Sequence, residues 1–291
     1  MKKIIAITIV GIIILNGFGI VAMSNSETEF WGVVVVALDT SQQPYIYNSL
    51  RQSNNWKSDH IKLLWMENAT KGEILNSIDW LIENADNDDI VLFSVDCHGT
   101  YQKGEYGIWP WDGYDNGMIS VAELDAKFDQ INSMGLCLIF DCCLSGSFID
   151  TYHENKVRKN FYTFRSTRFN IPESIIEGIE DDNRVIIMGT MPNGLGSHWI
   201  DYDLNGEVKS EVSPSSVLSE AFIHKYDMNN DGHTSAEEGF VYLKKNFRKW
   251  AILGFLLLPL QIYMYLTTGF LIKPFPTIYD GFQGELPIIK I

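Results

Sequence analysis

The chain reads as an α/β domain, a mostly parallel sheet with helices on both faces. Three observations predict this. Short, continuous β-branched runs recur along the sequence. Segments with apolar residues at helical spacing separate them. No repeat or low-complexity tract breaks the alternation. Strands joined through helices must pair in parallel, and the crossovers cover the sheet.

The elements follow in order. Trp31-Gly-Val-Val-Val-Val-Ala-Leu-Asp39 is a strand buried on both faces. Pro44 to Asn54 suits a helix, and Ile61-Lys-Leu-Leu-Trp-Met66 a second strand. Thr70 to Asn84 places Ile74, Ile78, Leu81 and Ile82 on one helical face. Thr70 and Glu73 form its capping box. Ile90 to Val95 is a third strand, Val121 to Ile131 a helix, Leu136 to Phe140 a fourth strand and Arg184 to Met188 a fifth. Between the last two, Asp150 to Asp182 is polar and lacks periodicity, so it reads as an irregular connection.

Bulk properties bound the function. A chain of 291 residues, 46% hydrophobic, can bury a sizeable core. A net charge of -15 excludes nucleic acid as a partner, because no broad face neutralises phosphates. The four cysteines, Cys97, Cys137, Cys142 and Cys143, are too few and too closely set for a disulfide scaffold. They read as reactive chemistry plus packing.

Residues 1–26 predict export. Lys2 and Lys3 precede an apolar run from Ile4 to Val21, and small residues follow. A cleaved signal peptide and a retained membrane anchor both fit. The positive-inside rule keeps the N-terminus in the cytoplasm and puts the rest outside. Residues 30–249 then form the main domain. A second apolar segment, 250–272, is long enough to span a bilayer but is interrupted by Pro259 and Gln261. It suits a membrane-dipping hairpin, a span or a packed core helix. Membrane association is the expectation, with 273–291 a tail that can rejoin the domain.

Two strand tips carry the chemistry. Ile90-Val-Leu-Phe-Ser-Val-Asp-Cys-His-Gly99 ends in a histidine and a glycine, and Leu136-Cys-Leu-Ile-Phe-Asp-Cys-Cys-Leu-Ser-Gly-Ser147 ends in cysteines. In a parallel sheet both tips lie at the carboxyl edge, where ligands bind. A nearby His lowers a thiol's pKa and can protonate a leaving group. Gly99 lets backbone amides approach a developing oxyanion without a side-chain clash.

These segments resemble the caspase, metacaspase and legumain clan of cysteine peptidases. Phe93-Ser-Val-Asp-Cys-His-Gly99 resembles the clan's strand ending in His-Gly. Phe140-Asp-Cys-Cys-Leu-Ser-Gly-Ser147 resembles its Asp-Ser-Cys-His-Ser-Gly signature. The resemblance spans about Trp31 to Phe247, and Pro276 to Leu286 resembles the terminal strand region of archaeal and bacterial caspase-like proteins. It implies the caspase-like (caspase-hemoglobinase) fold and hydrolysis of polypeptides through an acyl-enzyme. Cys143 becomes the nucleophile and His98 its partner, with the amides of Gly99 and Cys143 at the oxyanion. Leu144 replaces the usual polar residue after the nucleophile, and Cys97 precedes the His; neither removes a catalytic group.

The resemblance also implies specificity. Metacaspases select Arg or Lys over an acidic pocket floor. Asp141 and Asp96, each two residues before a catalytic group, match that chemistry, and Asp39 ends the first strand. Three carboxylates at one edge attract a cation. Some of them can instead cap turns. Lys156, Arg158, Lys159, Arg165 and Arg168 sit where caspase-like proteins carry an interdomain linker, so self-cleavage within Lys156 to Arg168 is expected.

Asp227-Met-Asn-Asn-Asp-Gly-His-Thr-Ser-Ala-Glu-Glu238 matches an EF-hand loop. Asp227, Asn229, Asp231, the His233 carbonyl, Ser235 and Glu238 would ligate Ca2+, with Gly232 at the turn. Helices are expected over Ser215 to Tyr226 and Ala236 to Phe247. Two other functions fit less well: a legumain-like asparaginyl peptidase or transpeptidase, and a silent calcium-binding protein with the same fold. Oligomeric state is not legible.

Overall fold

The computed structural model describes residues 27–38, 43–149, 179–196, 199–202, 208–256, 262–263, 265–267 and 269–291. Its strands in chain order are β1 Phe30–Val36, β2 Ile61–Trp65, β3 Ile90–Asp96, β4 His98–Gln102, β5 Glu105–Trp109, β6 Ile119–Ser120, β7 Gly135–Asp141 and β8 Arg184–Met188. They continue as β9 Gly194–Leu195, β10 Trp199–Tyr202, β11 Val208–Val212, β12 His233–Ser235, β13 Leu271–Ile272, β14 Thr277–Asp280 and β15 Pro287–Lys290. The central sheet has the order β14-β8-β7-β3-β1-β2. All neighbours pair in parallel except β14, which runs antiparallel to β8.

The continuous apolar runs are why β1, β3, β7 and β8 sit in the middle. Side chains alternate between faces, so each run feeds two cores. Val33, Val35, Phe93, Val95, Leu138 and Phe140 face the helices Lys71–Asn84 and Val121–Phe128. Val34, Leu92, Ile139 and Ile187 face the helices Tyr45–Leu50, Pro214–Ile223 and Ala236–Leu256. Each large apolar side chain so buried contributes about 1.5–3 kcal/mol. Thr70 caps its helix by accepting the Glu73 N–H at 3.2 Å.

Several boundaries differ from the sequence expectation. β1 ends at Val36, and Asp39 lies outside the described residues. The helix expected to Asn54 stops at Leu50, and the one expected to Ile131 stops at Phe128. The helix expected to end at Phe247 continues to Leu256, so the border between 249 and 250 falls inside one element. Beyond it the chain returns: β14 completes the central sheet and β15 pairs with β12.

A three-stranded antiparallel sheet, β4-β5-β6, was not read from the sequence. Its first turn is Lys103-Gly104, both with positive φ (55° and 93°), the two-residue geometry that suits a tight hairpin. Arg184 is also unforeseen. It opens β8, is 1% exposed, and donates to Asp125 (2.8 Å), Asp129 (2.7 Å) and the Ile179 carbonyl (2.7 Å).

Candidate active site

The carboxyl edge of the sheet is where the two tips meet. Val36, Asp96 and Asp141 are register partners across β1, β3 and β7. The ladder runs one step further: Ala37 N–H donates to the Asp96 carbonyl at 2.8 Å, and Cys97 N–H to the Asp141 carbonyl at 3.4 Å. His98 and Cys143 therefore leave neighbouring strands at the same height.

Cys143 is carried on a sharp turn. Leu144 adopts a left-handed conformation (φ 64°), and its N–H donates to the Gly194 carbonyl at 2.7 Å. A 3-10 turn over Ser145–Ser147 follows. Gly146 packs against the Thr190–Pro192 backbone, where a Cβ would sit 2.4 Å from the Thr190 oxygen. This places the Cys143 thiol half-buried, whereas Cys142 is fully buried. Burial pushes the Cys142 thiol well above its ordinary pKa, which keeps it a neutral thiol while the strand tips are closed.

Gly99 joins the tips. A Cβ there would lie 1.6 Å from the Cys143 carbonyl oxygen and 3.2 Å from its nitrogen. No side chain fits, so the two backbones touch. Gly196, with φ 85°, donates its N–H to the Cys143 sulfur at 3.3 Å. A donor to sulfur favours the thiolate. Gly196 was not foreseen; Asn193-Gly-Leu-Gly196 signals a turn but not what that turn faces.

His98 is exposed at the start of β4. It opens onto a cavity of about 880 Å³ whose walls include Gly99, Thr100, Trp109, Trp111 and Tyr114. This cavity lies with β4 and β5 against the first core, which holds Cys97 and Cys142. By alternation Asp96 and Asp141 point to the opposite face. Both are buried, at 3% and 0% exposed. Asp141 accepts the Ser215 N–H at 2.7 Å, so it caps the helix Pro214–Ile223.

The Asp227 to Glu238 loop is compact. Asp227 accepts from the amides of Asn230 (2.6 Å) and Gly232 (3.1 Å), and Asp231 from His233 (2.9 Å). Gly232 has φ 89°, a conformation that favours glycine. Glu238, 1% exposed, accepts from Asn229 (3.3 Å) and Ser235 (3.1 Å). His233 to Ser235 form β12, held by β15. The donors are carboxylates, an amide, a hydroxyl and a carbonyl, all hard oxygens, so the set fits Ca2+. Glu285, missed in the sequence because it lies far along the chain, accepts from Asn229 Nδ2 at 2.8 Å. Burial first, then the Glu238 carboxylate, push its pKa up.

Residues 1–26 and 150–178, with the basic cluster from Lys156 to Arg168, lie outside the described residues, as does much of 257–268. Among the described residues no helix is long and apolar enough to cross a membrane.

Residues 42–152 match the family model "Metacaspase, peptidase C14 domain". That span contains His98, Gly99, Cys143, Asp96 and Asp141, and excludes the Asp227 to Glu238 loop. No curated protein matches the chain in sequence. Similar solved structures include a protein from Geobacter sulfurreducens (13% identity, TM-score 0.45, 75% of this chain and 89% of that one). Caspase-1 from Spodoptera frugiperda has 13% identity and TM-score 0.43, with 90% of each chain covered. The structure titled drICE has 10% identity and TM-score 0.44, covering 90% of this chain and 92% of that one.

Proposed function

We propose that this chain, a member of the caspase and metacaspase-like family of cysteine peptidases through its residues 42–152, cuts polypeptides internally with Cys143 as nucleophile and His98 as acid and base. The Cys143 thiolate attacks the scissile carbonyl carbon. The amides of Gly99 and Cys143 receive the oxyanion. His98 then gives its proton to the departing amine, and water, deprotonated by His98, releases the acyl group. The contact between Gly99 and Cys143 supports this reading most strongly, because it brings together tips that are far apart in sequence.

The site takes Arg or Lys before the scissile bond. Asp96 and Asp141 stand side by side at the sheet edge, on the face opposite the cavity, so the basic side chain would enter from that face, where two carboxylates favour a cation and repel an acidic residue. Calcium is bound by Asp227, Asn229, Asp231, His233, Ser235 and Glu238, where it would hold the loop and β12 together. The enzyme works outside the cytoplasm and in contact with a membrane, and it cleaves itself within Lys156 to Arg168. These readings rest on the charge pattern, the oxygen donor set and the apolar segments 4–21 and 250–272.

An acyloxymethyl-ketone peptide ending in Arg tests the core of the reading. It should label wild type and Cys142→Ala but not Cys143→Ala. Labelling that survives in Cys143→Ala would overturn the assignment. A substrate panel ending in Arg, Lys, Asn and Asp tests the specificity, and a clear preference for Asn would favour a legumain-like enzyme.

A further inference from the structure

We infer that Cys97 and Cys142 are an oxidation site: a disulfide between them ties the tip of β3 to the tip of β7 directly beneath the dyad. The inference stands on the fold and does not depend on the peptidase reading.

Register sets the distance. Asp96 pairs with Asp141, and the Cys97 N–H still donates to the Asp141 carbonyl at 3.4 Å, so the next neighbours are Cys97 and Cys142. Neighbouring strands run about 4.8 Å apart. A disulfide spans Cα atoms about 4.4–6.8 Å apart. Alternation sets the direction. Val95 and Phe140, two residues back on each strand, belong to the first core, and so do Cys97 and Cys142. The Cys97 Sγ donates to the His98 carbonyl at 3.3 Å, and Cys97 is the neighbour that, after burial, raises the Cys142 thiol's pKa. Both are free thiols in this structure.

The other pairings are poor. Cys137 lies in the second core, across the sheet from the pair. Cys142 and Cys143 are sequence neighbours, awkward to bridge. The pair Cys97 and Cys142 therefore leaves the Cys143 thiol outside the bridge.

The oxidant is a small-molecule disulfide such as oxidised glutathione. The Cys97 thiolate attacks one of its sulfurs, breaks the S–S bond and expels one thiolate. The Cys142 sulfur then attacks the Cys97 sulfur of the mixed disulfide, loses its proton and expels the second. Two protein thiols are oxidised, and one external disulfide is reduced to two thiols. Cys97 is the entry point: it is 4% exposed, whereas Cys142 is fully buried and its proton is tightly held. Exchange therefore proceeds while the tips are open, and closure protects the bond once made.

Peptide mapping tests this. The reduced full chain is incubated with oxidised glutathione in mild urea at pH 8, returned to buffer, alkylated, digested without reductant and analysed by mass spectrometry. The expected product is a cross-linked pair of peptides carrying Cys97 and Cys142, two hydrogens lighter than the reduced pair, with Cys137 and Cys143 alkylated. The link should persist in Cys143→Ala and vanish in Cys142→Ala. Alkylation of both Cys97 and Cys142 after oxidation would overturn the inference, as would a link from Cys97 to Cys143.

Discussion

Gly99 and Cys143 meet backbone to backbone: a Cβ on Gly99 would lie 1.6 Å from the Cys143 carbonyl oxygen. Such an overlap cannot be relieved by turning a side chain. Gly99→Ala must push the tips of β3 and β7 apart at the point where Gly99 and Cys143 touch, next to His98. A shift of about 1 Å in a positioned group can cost roughly 100-fold in rate. Gly99→Ala should therefore lose at least that much kcat/KM and label slowly with the ketone probe. Its far-ultraviolet circular dichroism should stay native, because the site lies at the edge of the sheet. Unchanged kinetics would show that the two backbones are not coupled in solution.

Asp141 caps a helix, and the proposed specificity gives its charge a second duty. Its side chain accepts the Ser215 N–H at 2.7 Å, which an asparagine oxygen can also do. Asp141→Asn thus removes the charge and keeps the cap. The expected result is a fall of roughly 10-fold in kcat/KM for Arg and Lys peptides, about 1.4 kcal/mol. Peptides ending in uncharged residues should change little, and the melting temperature should hold. A uniform loss across all peptides would assign Asp141 to structure alone.

Calcium should stabilise the protein in proportion to its occupancy. Binding to the folded state alone adds about 2.7 kcal/mol at 100 times Kd, and several degrees in Tm. Glu238→Gln should abolish the shift, since Glu238 is the loop's buried carboxylate. Glu285→Gln should reduce it, because that carboxylate sits against Asn229. Differential scanning fluorimetry with calcium, magnesium or chelator reads all three. Equal Tm values with calcium and chelator would remove the metal from the account.

The sequence announces the central strands because an apolar run buried on both faces needs no partner to be recognised: Val33 to Val36 and Leu136 to Phe140 show it. The placement of His98 and Cys143 at one sheet edge was legible for the same reason, since strand ends fix where they emerge. The hairpin β4-β5 was not, because strands with one wet face mix polar residues such as Thr100 and Gln102 with Tyr106 and Ile108, and Lys103-Gly104 is a weak turn signal. Gly196 and Glu285 reach their sites across the fold from distant segments. No local pattern encodes that.

Arg184 gives a pH-dependent test of the frame behind the site. It is buried against the largely buried Asp125 at 2.8 Å and also reaches the exposed Asp129 at 2.7 Å. Removing one member of a buried pair leaves a stranded charge and costs about 3–5 kcal/mol. Arg184→Ala should cost that much at neutral pH. Burial already raises the Asp125 pKa, while Arg184 pulls it down. Without Arg184 it must rise further. A carboxyl with a raised folded pKa contributes stability that is present at low pH and lost as pH rises through that pKa. The deficit of Arg184→Ala relative to wild type should therefore shrink on acidification, as Asp125 takes up a proton and the stranded charge disappears. Urea unfolding of both proteins at several pH values between 5 and 8 measures the difference. A gap that is constant with pH, or that widens in acid, would show that Asp125 is not the group left unpaired.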